Sequence, residues 1–156
     1  MVFAVYGDGP QTRRDVTRGV DSWTGPRGQA VIRAVDGSYA LWDLLAARRI
    51  APIKPPTGSA SFSEFAFSGD GGSMLATGGF GAIVFTIPDD QGRQPSAKLI
   101  VNDPASIPMF DQNNAALSHD GQQAIVTTRD GVLMVPTNGW DPQTLPAPGG
   151  VRNVSF

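Results

Sequence analysis

Few residues of this 156-residue chain have the types and spacing that chemistry needs. There is no cysteine, which excludes disulfides and thiolate metal sites. The single histidine, His119, has no second histidine or thiol to converge with, and a metal site needs several such ligands. Asp70 and Asp120 lack the ligand spacing of a calcium loop. Ser68 and Ser118 stand in Ser-x-Asp-Gly strings, not in the Gly-x-Ser-x-Gly elbow that presents a nucleophile, and no Ser–His–Asp set assembles around them. Gly78-Gly79 and Gly149-Gly150 are not followed by the Lys-Ser/Thr and helix of a phosphate loop. No catalytic, cofactor-binding or metal-ligating residue is assigned, no cofactor is expected, and the chain is read as non-catalytic.

The remaining candidates have bland explanations. Arg13, Arg14 and Arg18 form a basic cluster that suits a phosphate or an acidic partner, or simply a solvated edge. Trp23 and Trp42 fall on apolar runs and read as packing residues, whereas Trp140, beside Asn138-Gly139, reads as exposed. Asn153-Val-Ser155 has the form of a glycosylation sequon but lies on an expected buried strand. The net charge of −2 gives no reason to expect nucleic acid or an anionic membrane surface as partner. No apolar run approaches the ~20 residues of a membrane span. No signal peptide is visible at the amino terminus, so a cytoplasmic location is the expectation.

The elements that position these residues come from a repeat. Ser22–Asp43 can be laid without a gap over Ala66–Ile87 and over Ala116–Thr137. In this register Gly25 falls on Gly69, and Ser68, Asp70 and Gly71 fall on Ser118, Asp120 and Gly121. Ala30-Val31-Ile32, Met74-Leu75-Ala76 and Ala124-Ile125-Val126 coincide, as do Gly37, Gly81 and Gly131. Tyr39-Ala40-Leu41, Ile83-Val84-Phe85 and Leu133-Met134-Val135 follow. Each copy reads strand, tight turn, strand, tight turn, strand. Nineteen glycines and thirteen prolines suit many short strands joined by turns. The strands are continuous apolar runs, the pattern of sheets covered on both faces. Residues 40–50 carry helical spacing at Leu41, Leu44, Leu45 and Arg48, but the register favours a strand through Trp42, a turn at Leu45–Arg48 and an outer strand at Ile50–Ile53. A further outer strand is expected near Ala97–Val101.

These strings resemble the WD-repeat family. Phe67-Ser-Gly-Asp-Gly71 matches the family's Phe-Ser-Pro-Asp-Gly turn except for Gly69, and Leu117–Gly121 matches it more loosely, with His119 in the proline's place. Trp42-Asp43 is the one Trp-Asp dipeptide; its counterparts in the register above are Thr86-Ile87 and Pro136-Thr137. The family's Gly-His dipeptide is absent, and its turn aspartate fits Asp36 and Asp130 but is Phe80 in the middle copy. Ser68-x-Asp70-x-Gly72 is also similar to the aspartate box of sialidases, although Met74-Leu75 stand where an aromatic is expected.

The resemblance implies an all-β fold: a β-propeller fragment of about three four-stranded antiparallel blades, with partial blades at both ends. Residues 1–19 are the end of a preceding blade, 20–63, 64–114 and 115–152 are blades, and 153–156 begin a next one. The missing Gly-His keeps propellers of hydrolases, lactonases and periplasmic six-bladed proteins as alternatives, with an active site outside this segment. In the resembled family one face is built from loops between blades and between second and third strands. Here those loops hold Arg33, Asp36, Lys54, Asp103, Arg129 and Asp130, the candidate binding residues. The implied function is a scaffold for a protein partner. Open blade edges must be covered by the rest of the propeller or by self-association.

Overall fold

The computed structural model describes residues 19–56, 61–89, 93–102, 115–128, 131–138, 142–146 and 154–156. Twelve strands form three antiparallel sheets, each in simple sequence order. The first sheet is β1 (Gly19–Thr24), β2 (Gln29–Ala34), β3 (Tyr39–Asp43) and β4 (Arg48–Ile53). The second is β5 (Phe62–Phe67), β6 (Ser73–Gly78), β7 (Gly81–Thr86) and β8 (Ser96–Val101). The third is β9 (Ala115–Leu117), β10 (Gln123–Thr128), β11 (Gly131–Pro136) and β12 (Gln143–Pro146). Residues 40–50 are strand, turn, strand, as the register favours. The helical spacing of the leucines is overridden because β3 and β4 complete a ladder.

The second sheet lies between the other two. One of its faces gives Met74, Ala76, Ile83 and Phe85 to a core shared with Val31, Tyr39 and Leu41 of the first sheet. Its other face gives Leu75, Ala82 and Val84 to a core shared with Leu117, Ala124, Val126 and Val135 of the third. That explains the unbroken burial along β6 and β7. In β11 the burial is interrupted: Val132 and Met134, on the face turned away from the second sheet, are half-exposed. The matching outer face of the first sheet is buried, as Ala30, Ile32, Ala40 and Trp42 pack together.

The sheets converge at their first strands, β5 meeting both β1 and β9. An aromatic cluster holds the first joint. Phe62 has its ring 5.0 Å from Tyr39, 4.8 Å from Phe65 and 5.4 Å from Phe80. Trp23 reaches Phe65 at 5.0 Å. Phe80, which takes the place of a turn aspartate, is buried in this cluster.

Two details of the repeat register are corrected. Gly25 does not correspond to Gly69. Its N–H donates to the Gln29 carbonyl as that of Ser68 donates to Ser73, so Gly25 stands in the place of Ser68. The β1–β2 turn is thus one residue shorter than β5–β6, and the β2–β3 connection is one residue longer than β6–β7. In consequence Leu41 pairs with Val31 as Val84 pairs with Leu75. Phe85-Thr86, not Thr86-Ile87, are the counterparts of Trp42-Asp43. Second and third copies keep the sequence register, since Leu75↔Val84 and Ile125↔Met134 are equivalent pairs.

Candidate functional site

Three of the six candidate binding residues are described. All three lie at one end of the first sheet, where β2 turns into β3 and β4 finishes. Arg33, on β2, pairs across the ladder with Tyr39. Its Nη2 is 2.7 Å from Asp21 Oδ2 on β1, while its Nε is buried without a hydrogen-bond partner. Asp36 is at the hairpin tip and accepts the Ser38 N–H at 2.9 Å, a local turn bond that fixes the bend. The Ser38 hydroxyl, then the Ser38 amide, holds the Asp36 carboxyl below its ordinary range. Gly37, at φ 83°, supplies the left-handed residue of this hairpin. Lys54 directly follows β4 and is exposed. Asp103, Arg129 and Asp130 lie outside the described residues.

Two further residues belong to this end. Val35, at the tip beside Asp36, is 68% exposed. Asp21 completes the ion pair with Arg33. Drawing the β1–β2 ladder on the sequence would have found Asp21, which sits opposite Arg33. The exposure of Val35 has no such signal.

At the opposite end the Ser-x-Asp-Gly strings are structural. Ser68 Oγ donates to Asp70 Oδ1 at 2.7 Å and accepts the Ser73 N–H at 2.9 Å, and Asp70 Oδ1 accepts the Gly72 N–H at 2.8 Å. In the third sheet Ser118 Oγ likewise donates to Asp120 Oδ1 at 2.7 Å and accepts the Gln123 N–H at 2.9 Å, and Asp120 Oδ1 accepts the Gln122 N–H at 3.1 Å. Gly72 N–H, followed by the Ser68 hydroxyl, lowers the pKa of Asp70; the Ser118 hydroxyl, followed by the Gln122 N–H, lowers that of Asp120. Among the described residues no three His, Asp or Glu side chains converge as metal ligands.

These turns also interlock the sheets. The Asp70 N–H donates to the His119 carbonyl at 2.8 Å. The His119 ring lies against Gly69, where any Cβ would overlap it. A Cβ at position 69, as the resembled motif's proline would carry, would require the exposed His119 ring to move. Gly25 is pressed in the same way by the Phe67 ring, whose nearest carbon is 2.7 Å from where a Cβ would be. At the first joint Gln29 Nε2 donates to the Gly71 carbonyl at 3.0 Å, and Arg27 pairs with Asp89 at 2.7 Å.

Where the first strands converge, an open cleft is lined by Ala66, Phe67, Leu117 and His119 together with Val154 and Phe156. Val154–Phe156 belong to no strand among the described residues, and Asn153, the first residue of the further blade that the sequence predicts over 153–156, lies outside them.

No protein-family model matches the sequence, and neither does any curated protein sequence. Solved structures do match. A crystal structure of a protein from Lactobacillus plantarum superposes with a TM-score of 0.54 at 16% identity, over 92% of this chain and 44% of that one. The β-propeller domain of Myceliophteria thermophila Cps50 (Swd1) superposes with a TM-score of 0.52 at 16% identity, over 85% of this chain and 42% of that one. The described residues form β-propeller blades. A complex of KlAtg21 with the coiled coil of AgAtg16 is also similar, with a TM-score of 0.48 at 16% identity, over 81% of this chain and 38% of that one. The chain spans about two fifths of the length of these structures. In propeller terms β1, β5 and β9 are the innermost strands of three blades, and the two interlocked joints are blade–blade contacts.

Proposed function

We propose that these blades act as a scaffold that docks a protein partner on the end carrying Arg33, Asp36 and Lys54. The observation that supports this reading is the β2–β3 hairpin tip. There Val35 stands 68% exposed, next to Asp36 and beside the Asp21–Arg33 pair and Lys54. One exposed apolar side chain at a sheet end that carries charges of both signs suits a contact with a desolvated centre and a polar rim. The tip is presented by a ladder buried over Gln29–Ile32 and Tyr39–Trp42, a support suited to holding it in place. Asp103, Arg129 and Asp130 are proposed as the corresponding positions of the next two blades.

The test is a photo-crosslinking residue placed at Val35 in the cell, with Leu45 as control. Leu45 is 84% exposed but lies at the other end of the same sheet. The reading expects a discrete protein adduct from position 35, absent from position 45 and lost on Arg33→Glu with Lys54→Glu. Equal adducts from both positions would refute it.

A further inference from the structure

The same row of residues faces each of the two blade joints, and its side chains differ in length. In the first sheet, cross-strand pairing places Gln29, Asp43 and Arg48 side by side at the end of β2, β3 and β4. All three are long or charged: Gln29 reaches across to the Gly71 carbonyl, and Arg48 pairs with Asp43 at 3.6 Å. In the second sheet the same pairing places Ser73, Thr86 and Ser96 side by side. These short side chains do not fill the joint. A cleft of about 420 Å³ opens between them and Gly121, Gln122, Thr137 and Asn138 of the third sheet. The Gly121 carbonyl, the counterpart of the one that Gln29 binds, is taken by Thr137 Oγ1 at 2.7 Å. Lys98, which pairs with Val84 two ladder pairs inward, extends its Nζ to the Thr137 carbonyl at 3.2 Å, so an ammonium group spans the cleft.

We propose that this cleft binds a small carboxylate whose body carries hydroxyl or amide groups. The volume lies within the range of ordinary small-molecule sites. Among the described lining residues Lys98 is the one ionisable side chain, which matches a single negative charge. A phosphate dianion would place a second charge against neutral groups and near Asp120 of the adjoining turn. The hydroxyls of Ser73, Thr86 and Ser96 both donate and accept, as do the amides of Gln122 and Asn138, so the partner carries polar groups beside its carboxylate. The carboxylate can belong to a free hydroxy acid or to an acidic side chain of a polypeptide. The proposal is independent of the docking end, which lies at the opposite edge of the sheets.

The experiment is a titration of the isotope-labelled chain followed by amide chemical shifts. Glycerate represents the free acid, N-acetylglutamic acid α-amide the acidic side chain, and glycerol and N-acetylglutamine amide are their neutral counterparts. The expected result is saturable shifts at Gly121, Gln122 and Thr137, with Ser38 at the far end unmoved. Lys98→Gln weakens the acids about tenfold or more and leaves the neutral compounds unchanged, as loss of one charge-assisted contact requires. Ser73→Gln, which copies the first joint, abolishes the shifts while the chain stays folded. Tighter binding of the glutamyl compound than of glycerate supports the proposal with a polypeptide as the source; the reverse supports it with a free acid. Equal affinity for acids and neutral compounds, indifference to Lys98→Gln, or no saturable shift at these residues would each overturn it.

Discussion

Truncating Phe62 to alanine tests whether the aromatic cluster clamps the first blade to the second. Phe62 is 5% exposed and meets Tyr39 and Phe80 edge-on, at interplanar angles of 82° and 83°. Burial of a phenylalanine side chain is worth about 1.5–3 kcal/mol, and edge-to-face pairs add about 0.5–1.5 kcal/mol beyond area. With the cavity left behind, Phe62→Ala is expected to cost about 3–5 kcal/mol. Against a typical domain stability of about 5–15 kcal/mol that is a large fraction. Phe62→Leu, which keeps aliphatic volume, is expected to cost about 1–2 kcal/mol. Urea unfolding monitored by circular dichroism and by tryptophan fluorescence measures both, since Trp23 packs on Phe65 in the same cluster. Leu145→Ala, on exposed β12, is the control and should change stability by less than about 0.5 kcal/mol. A loss below about 1 kcal/mol for Phe62→Ala, or one no larger than the control, would refute the clamp.

Three further outcomes are expected. Ser68→Ala should cost about 1–3 kcal/mol, because Ser68 is fully buried and its loss strips the Ser73 N–H of its acceptor, whereas Ser118→Ala in the more exposed copy should cost about 0.5–1.5 kcal/mol; urea midpoints decide, and equal costs would contradict the burial argument. Gly71→Ala should cost at least about 1 kcal/mol more than Gly37→Ala: both glycines have positive φ, but a Cβ at 71 would meet Arg27 Cγ at 2.8 Å and Gln29 Oε1 at 3.0 Å, while a Cβ at 37 meets open space. Asp70 and Asp120 have folded pKa values below the ordinary 3.8, so the stability they add is present above that value and is lost as pH falls through the lower folded values. Stability measured against pH should therefore drop below about pH 3.8, and Asp70→Asn with Asp120→Asn should flatten that limb; an unchanged limb would show that other groups drive it.

Where the sequence succeeds and where it slips has a physical cause. The second and third copies stay in register because both enter β6 or β10 through a Ser-x-Asp-Gly turn of fixed length, closed by the same serine and aspartate bonds. The first copy replaces that turn with Gly25-Pro26-Arg27-Gly28, which spans the same gap with one residue fewer. A slip of one residue normally reveals itself by turning polar side chains inward. Here Tyr39, Ala40, Leu41 and Trp42 are all buried, so either register satisfies the pattern. The helical look of residues 41–48 has a related origin. The β3–β4 turn places Ala47 at φ 48°, a position usually marked by glycine or asparagine, so no breaker interrupts the leucine spacing. The candidate docking end is legible in part, since hairpin and strand ends can be placed from the repeat, but side-chain exposure at Val35 cannot. The cleft at the second joint is invisible for a different reason. It arises from three side chains being shorter than their counterparts one blade earlier, and a deficit of atoms makes no motif.

The Trp42-Asp43 dipeptide shows how a family-like string can rest on local physics alone. Trp42 sits directly opposite Ala30 and, with Ile32 opposite Ala40, forms a buried cluster on the outer face of the first sheet. Each large side chain lies over the space left by a small one. Asp43 ends the strand by accepting the Ala46 N–H at 3.0 Å and pairing with Arg48, which closes the β3–β4 turn. Neither role calls on the Gly-His partner that the resembled family supplies. The equivalent positions in the second blade are Phe85 and Thr86. Phe85 belongs to the core shared with the first sheet, and Thr86 to the hydroxyl row of the cleft. At the first joint Asp43 is held by Arg48, and Gln29 reaches across to the Gly71 carbonyl. Once Thr86 replaces the aspartate, no arginine is needed opposite it; Ser96 stands there, and the second joint opens. The dipeptide and the cleft are two outcomes at one pair of positions.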